Sequence, residues 1–138
     1  MIKNLVMAKE INVGTKNEVG ALAKMMSFLV NHGINVETIA GYSNHTGTEG
    51  MLTFITDNNQ KSIAELINNG YEDMEEREVI VAELENRPGT LKNVSELLAS
   101  NGVNIDYLYC TTCSSGCPAK IVLSTSNNNT AFRILNSV

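Results

Sequence analysis

Hydrophobic positions along the chain change period in a fixed order. Leu5 to Val13 is apolar on a roughly alternating pattern, which predicts a strand, and Gly14 to Asn17 read as a turn. Leu22, Met25, Phe28 and Leu29 then share one face of a helix, and Gly33 is placed to end it as a left-handed cap. Ile34 to Tyr42 and Met51 to Thr56 read as the two strands of a hairpin, joined by the polar, glycine-containing loop Ser43 to Gly50. A short helix is expected over Lys61 to Asn69, apolar at Ile63, Leu66 and Ile67 and capped by Gly70. Tyr71 to Glu76 reads as a further strand.

The second half repeats these signals. Val79, Val81 and Leu84 mark a strand, and Leu91, Val94, Leu97 and Leu98 a helical stripe closed by Gly102. Val103 to Thr111 and Ala119 to Ser124 are strands, and Thr130 to Asn136 a last helix. The identities recur at one offset of 69 residues: Asn17-Glu18-Val19-Gly20-Ala21-Leu22 returns as Asn86-Arg87-Pro88-Gly89-Thr90-Leu91, and Gly33-Ile34-Asn35-Val36 as Gly102-Val103-Asn104-Ile105. Thr56-Asp57-Asn58-Asn59 returns as Thr125-Ser126-Asn127-Asn128 at the same offset. A gapless internal repeat constrains architecture before any single residue is interpreted. The expected fold is α+β: two ferredoxin-like βαββαβ domains, 1–76 and 77–138, each an antiparallel sheet with helices on one face.

The copies are unequal. The partner of Tyr71 would be residue 140, beyond the 138 residues of the chain, so the second copy is expected to lack its final strand. The same offset run backwards sets Ile2 to Met7 opposite Tyr71 to Glu76. The N-terminal segment is therefore expected to complete the second sheet. Ile2 to Val13 and Tyr71 to Leu84 would each be one long strand shared by the halves.

Charge narrows the function. The net charge is −5 with scattered Lys and Arg, which argues against a basic nucleic-acid face. No apolar run approaches a membrane span. The opening segment is soon interrupted by Lys9 and Glu10, unlike a secretory signal, so a cytoplasmic location is expected. No Ser/His/Asp or Cys/His catalytic pattern is present. Glu72, Asp73, Glu75 and Glu76 read as a solvated edge, and His32 as a helix-terminal residue.

The most specific local signal is Asn86-Arg87-Pro88-Gly89-Thr90-Leu91 between a strand and a helix. Pro88 suits a first helical turn, and Gly89 lets backbone or ligand approach closely. A helix N-terminus offers amide hydrogens and partial positive charge to a carboxylate. The bland reading is a Pro-Gly turn and cap. The run Glu83 to Leu91, the apolar helix after it and Asn101-Gly102-Val103-Asn104-Ile105 together resemble an ACT domain. The first copy resembles a diverged one, with Val19 where that family usually has proline.

The resemblance implies a stand-alone, non-catalytic regulatory protein. It would bind an amino acid where ACT units meet, assemble as a homodimer and modulate a metabolic enzyme. Carried onto this chain, the ligand site is Asn86, Arg87, Pro88, Gly89, Thr90 and Leu91 facing Asn35 and Val36. Its counterpart is Asn17, Gly20, Ala21 and Leu22, with Glu18 and Val19, facing Asn104 and Ile105. Glu18 disfavours a carboxylate there, so the Asn86 site is preferred.

Cys110, Cys113 and Cys117-Pro118 stand outside that reading. No cofactor is expected, yet three clustered thiols suit Zn²⁺ or part of an iron–sulfur site, with His45 or a second subunit as fourth ligand. Two alternatives to the amino-acid sensor follow. One is a protein–protein assembly module without a ligand; the other is a metal or redox sensor built on these cysteines.

Overall fold

The computed structural model describes residues 2–138. In chain order the elements are β1 (Ile2–Lys16), α1 (Ala21–Val30), β2 (Val36–Ser43), β3 (Glu49–Thr56), α2 (Asn59–Asn68), β4 (Met74–Leu84), α3 (Thr90–Ser100), β5 (Ile105–Thr111), β6 (Ala119–Thr125) and α4 (Asn128–Asn136). Six strands pair antiparallel in the order β2-β3-β1-β4-β6-β5. The fold is α+β and ferredoxin-like. None of the described helices is long and apolar enough to cross a membrane. The chain divides into two compact units, residues 2–8 with Glu78–Val138, and Lys9–Arg77.

In the unit Lys9–Arg77, Phe54 of β3 lies opposite Ile11 of β1 and Ile39 of β2. Met25 and Leu29 of α1 and Leu66 of α2 close over Ile11, Val13 and Phe54. Sequence periodicity named this face with three exceptions. Leu22 and Ile67 are exposed, and Ser62 takes a buried place on α2. The Ser62 hydroxyl tolerates burial because it donates to the Asn58 carbonyl at 2.8 Å and lies 2.9 Å from Thr56 Oγ1.

Two expected boundaries also shift. Gly14 to Lys16 belong to β1 rather than to a turn, because Met51, Gly50 and Glu49 of β3 pair with them. Tyr71 is not in a strand: its amide closes the end of α2 on the Leu66 carbonyl at 3.0 Å. Its ring meets Phe28 edge-on at 6.2 Å.

In the other unit Ile80 pairs with Leu123 and Leu84 with Ala119. Val94 and Leu98 of α3 and Ala131 and Leu135 of α4 pack on Ile80, Ala82 and Leu123. Ile2, Leu5 and Met7 pack against this same cluster.

The repeated Thr-x-Asn-Asn segments have a structural job. Asn58 and Asn127 cap α2 and α4 by accepting from the Lys61 and Thr130 amides at 3.1 and 3.0 Å. Asn59 accepts from Thr56 and donates to the Lys9 carbonyl; Asn128 does the same with Thr125 and Glu78. Replacing either capping asparagine by alanine is expected to cost about 1 kcal/mol, read by chemical denaturation.

Candidate functional site

The turns from β1 into α1 and from β4 into α3 share one construction. Gly20 and Gly89 are the N-cap residues, with φ of 85° and 92°. No side chain caps either helix, whereas α2 and α4 are both capped by asparagine. The leading amides, Ala21 and Thr90, donate to the turn carbonyls of Glu18 and Arg87 at 3.1 and 3.4 Å, and the amides that follow them in the first turn have no side-chain cap.

Two details of the sequence reading change here. Pro88 lies in the turn ahead of the helix, not in its first turn, because Gly89 supplies the cap and Asn93 donates to the Gly89 carbonyl at 2.9 Å. Gly89 is needed for its left-handed backbone rather than for close approach, since a Cβ there would meet nothing within 4 Å. Gly89→Ala is expected to cost about 1–2 kcal/mol, measured by chemical denaturation. The same change at an already right-handed position would cost little.

Each turn is tied to its unit's hairpin through the matching asparagine. Asn86 Nδ2 donates to Thr112 Oγ1 at 2.8 Å, and Asn17 Nδ2 donates to the Gly47 carbonyl at 2.9 Å. Arg87 Nε lies 2.6 Å from a Glu85 carboxylate oxygen.

A cavity of about 220 Å³ opens beside the second turn, walled by Asn86, Arg87, Thr90, Leu91, Thr112 and Ala119 among others. One of about 250 Å³ lies beside the first, walled by Asn17, Glu18, Gly20, Ala21, Leu22, Tyr42 and Met51 among others. Leu91 and Leu22 were expected in the helical stripe; at 43% and 48% exposure they line these cavities instead. Val19 is fully exposed. Amide donors, a guanidinium and an apolar wall give the second cavity the groups that hold a small zwitterion with an apolar side chain. Each cavity is lined by one carboxylate and one cation, Glu18 and Lys16 in the first and Glu85 and Arg87 in the second.

Asn35, Val36, Asn104 and Ile105 lie elsewhere in their own units. Val36 pairs with Thr56, at the far end of the β2–β3 ladder from Ser43 and Gly50, beside which β1 ends. Ile105 pairs with Thr125, at the far end from Thr111 and Lys120. Asn35 and Asn104 hold their strand entries, their amides donating to Asp57 Oδ1 and Ser126 Oγ at 3.0 Å. Within one unit, then, turn and strand entry do not meet. Thr112, Tyr42 and Ala119 were missed in the sequence, because hairpin register brings them to the turns and no local motif marks them.

Cys113 and Cys117 form a disulfide, and Cys110 keeps its thiol. In this state the three cysteines do not present three thiolates. Among the described residues no group of three or more His, Cys, Asp or Glu is placed to hold a metal ion. Cys110 faces Ile121 across the β5–β6 ladder, and burial raises its pKa. His32 Nε2 lies 2.8 Å from Glu65, joining the turn after α1 to α2.

Comparison with known proteins bears on the second turn. A family model described as an AHAS small subunit-like ACT domain matches residues 80–138. No curated protein sequence matches the chain. Among solved structures, a Bacteroides thetaiotaomicron protein superposes with a TM-score of 0.87 at 24% identity, over 98% of this chain and 90% of that one. The ligand-free regulatory subunit of aspartate kinase from Thermus thermophilus gives 0.69 at 17% identity, covering 96% of this chain and 95% of that one. That from Thermus flavus gives 0.68 at 19% identity, covering 99% and 97%. These likenesses are of fold. Residues 80–138, with the Asn86 to Leu91 turn at their head, are similar to that ACT domain.

Proposed function

We propose that the chain is a non-catalytic regulatory protein of two ACT units that binds an amino acid at the Asn86 to Leu91 turn and modulates a metabolic enzyme. The observation that carries this is the contrast among helix starts. Asparagines cap α2 and α4, while α1 and α3 begin on left-handed glycines with no side-chain cap, beside cavities. An amino-acid carboxylate would take the α3 amides near Gly89 and Thr90, and its side chain would lie along Leu91. In a homodimer, Asn35 and Val36 of a second copy would close the site and hold the ammonium. Asn104 and Ile105 would do the same for Asn17, Gly20, Ala21 and Leu22. The aspartate kinase regulatory subunits of like fold are consistent with a metabolic enzyme as partner.

Regulation would act by linkage: an amino acid that prefers one packing of the units shifts the population toward it, with a coupling of about 1–3 kcal/mol. Thermal melts against single amino acids test the reading. A ligand at 100 times its dissociation constant should add about 2.7 kcal/mol of stability. Gly89→Ala should lose most of that gain. No shift with any amino acid would contradict the proposal.

A further inference from the structure

The hairpin loop beside the Asn86 turn carries a covalent clasp where the first copy has a polar one. At the repeat offset, Cys113 and Cys117 stand at the places of Asn44 and Thr48. In the first copy, Asn44 Oδ1 accepts from the Thr48 amide at 3.0 Å, and Asn44 Nδ2 reaches Thr48 Oγ1 at 3.4 Å. In the second copy the Cys117 amide donates to Cys113 Sγ at 3.2 Å, and the two sulfurs are bonded. Gly47 and Gly116, also equivalent, turn the two loops with φ of 74° and 80°. Equivalent positions thus clasp both loops, by hydrogen bonds in one copy and in the other by a bond that electrons make or break.

That bond is wired to the turn. Thr112 Oγ1 donates to the Cys117 carbonyl at 3.0 Å and accepts from Asn86 Nδ2 at 2.8 Å. Gly116 and Pro118, on either side of Cys117, wall a second cavity with Asn86 and Arg87. Cys117 is exposed and Cys113 half-buried, so an external thiol can reach the pair.

We propose that Cys113 and Cys117 are a thiol–disulfide exchange site whose oxidation state sets the geometry of the Asn86 to Leu91 turn through Thr112. In the oxidising direction, one thiolate of the pair attacks an external disulfide, either glutathione disulfide or that of a protein dithiol. A mixed disulfide forms and one external thiol leaves. The second thiolate then displaces the other. Two protein thiols become a disulfide, and the external disulfide becomes two thiols. Oxidised, the clasp fixes the Cys117 carbonyl that Thr112 reads; reduced, the loop keeps only the hydrogen bond and the turn loses a fixed anchor. The consequence for ligand affinity rests on the function proposed above; the switch itself does not.

The test needs no amino acid. The full chain with Cys110→Ser is equilibrated in glutathione buffers from reducing to oxidising, with backbone and Asn side-chain amides followed by NMR and free thiols counted by mass after alkylation. The pair should lose two thiols together, and the Asn86 to Leu91 signals should shift in step. The Asn17 to Leu22 signals, beside the cysteine-free loop, should stay in place. Thr112→Val should leave oxidation intact and abolish the shift of the turn, while Thr112→Ser restores it. Cysteines that stay as thiols in every buffer would overturn the proposal. So would oxidation that leaves the turn signals still, or a turn that still responds in Thr112→Val. Loss of amino-acid binding with the switch intact would count against the ligand reading alone.

Discussion

Deletion of residues 1–7 is expected to destabilise the core built on residues 78–138 by about 5 kcal/mol or more. Ile2, Leu5 and Met7 pack against the cluster of Ile80, Leu98, Leu123 and Leu135. Three partly buried apolar side chains contribute roughly 1 kcal/mol or more each, about half of what full burial gives. Strand hydrogen bonds lost along β4 add about 1 kcal/mol apiece. The sum is comparable to the whole stability of a small domain, roughly 5–15 kcal/mol. Methyl signals of Leu98 and Leu135 should lose their dispersion in the truncated protein. If the truncated chain melts where the full chain does, the N-terminal segment is a frayed end and the shared-strand reading fails.

Phe54→Ala should cost about 3–5 kcal/mol, within the range for removing a buried aromatic ring. Phe54 is fully buried, lies between Ile11 and Ile39 in the sheet, and packs in the cluster of Met25, Leu29 and Leu66. These five residues sit on four other elements, so the cavity cannot close by moving one side chain. Its counterpart at the repeat offset is Leu123, also buried. Phe54→Leu, which copies that residue, should recover more than half of the loss. Denaturant unfolding with both variants measures this, and a loss under about 1 kcal/mol would place the ring outside the core.

Much of the fold was legible because the repeat preserved structural devices. Thr56-x-Asn58-Asn59 and its copy recur because each asparagine pair caps a helix and ties it to a strand. Gly33 and Gly102 recur because both end a helix with positive φ, of 69° and 72°. What escaped were places where a long-range partner decided the outcome. Gly14 has turn chemistry, yet its amide donates to the Asp73 carbonyl at 2.7 Å and extends the strand. Ser62 looks like a surface residue until Thr56 and Asn58 satisfy it.

The site was legible at its turn and not at its walls. Asn86 to Leu91 announced itself by glycine and proline chemistry. Thr112 and Ala119 reach the cavity only through the pairing of β4, β5 and β6. The cysteines drew notice as potential metal ligands because they cluster on one loop. Their relation to Asn44 and Thr48 shows only when the repeat is read together with the hydrogen bonds of both loops.

Backbone amide mapping with a panel of amino acids tests the central claim most directly. The account predicts that at least one amino acid moves the Gly89, Thr90 and Leu91 signals, and moves them more than those of Gly20, Ala21 and Leu22. Signals at both turns unmoved by every amino acid at millimolar concentration would contradict it.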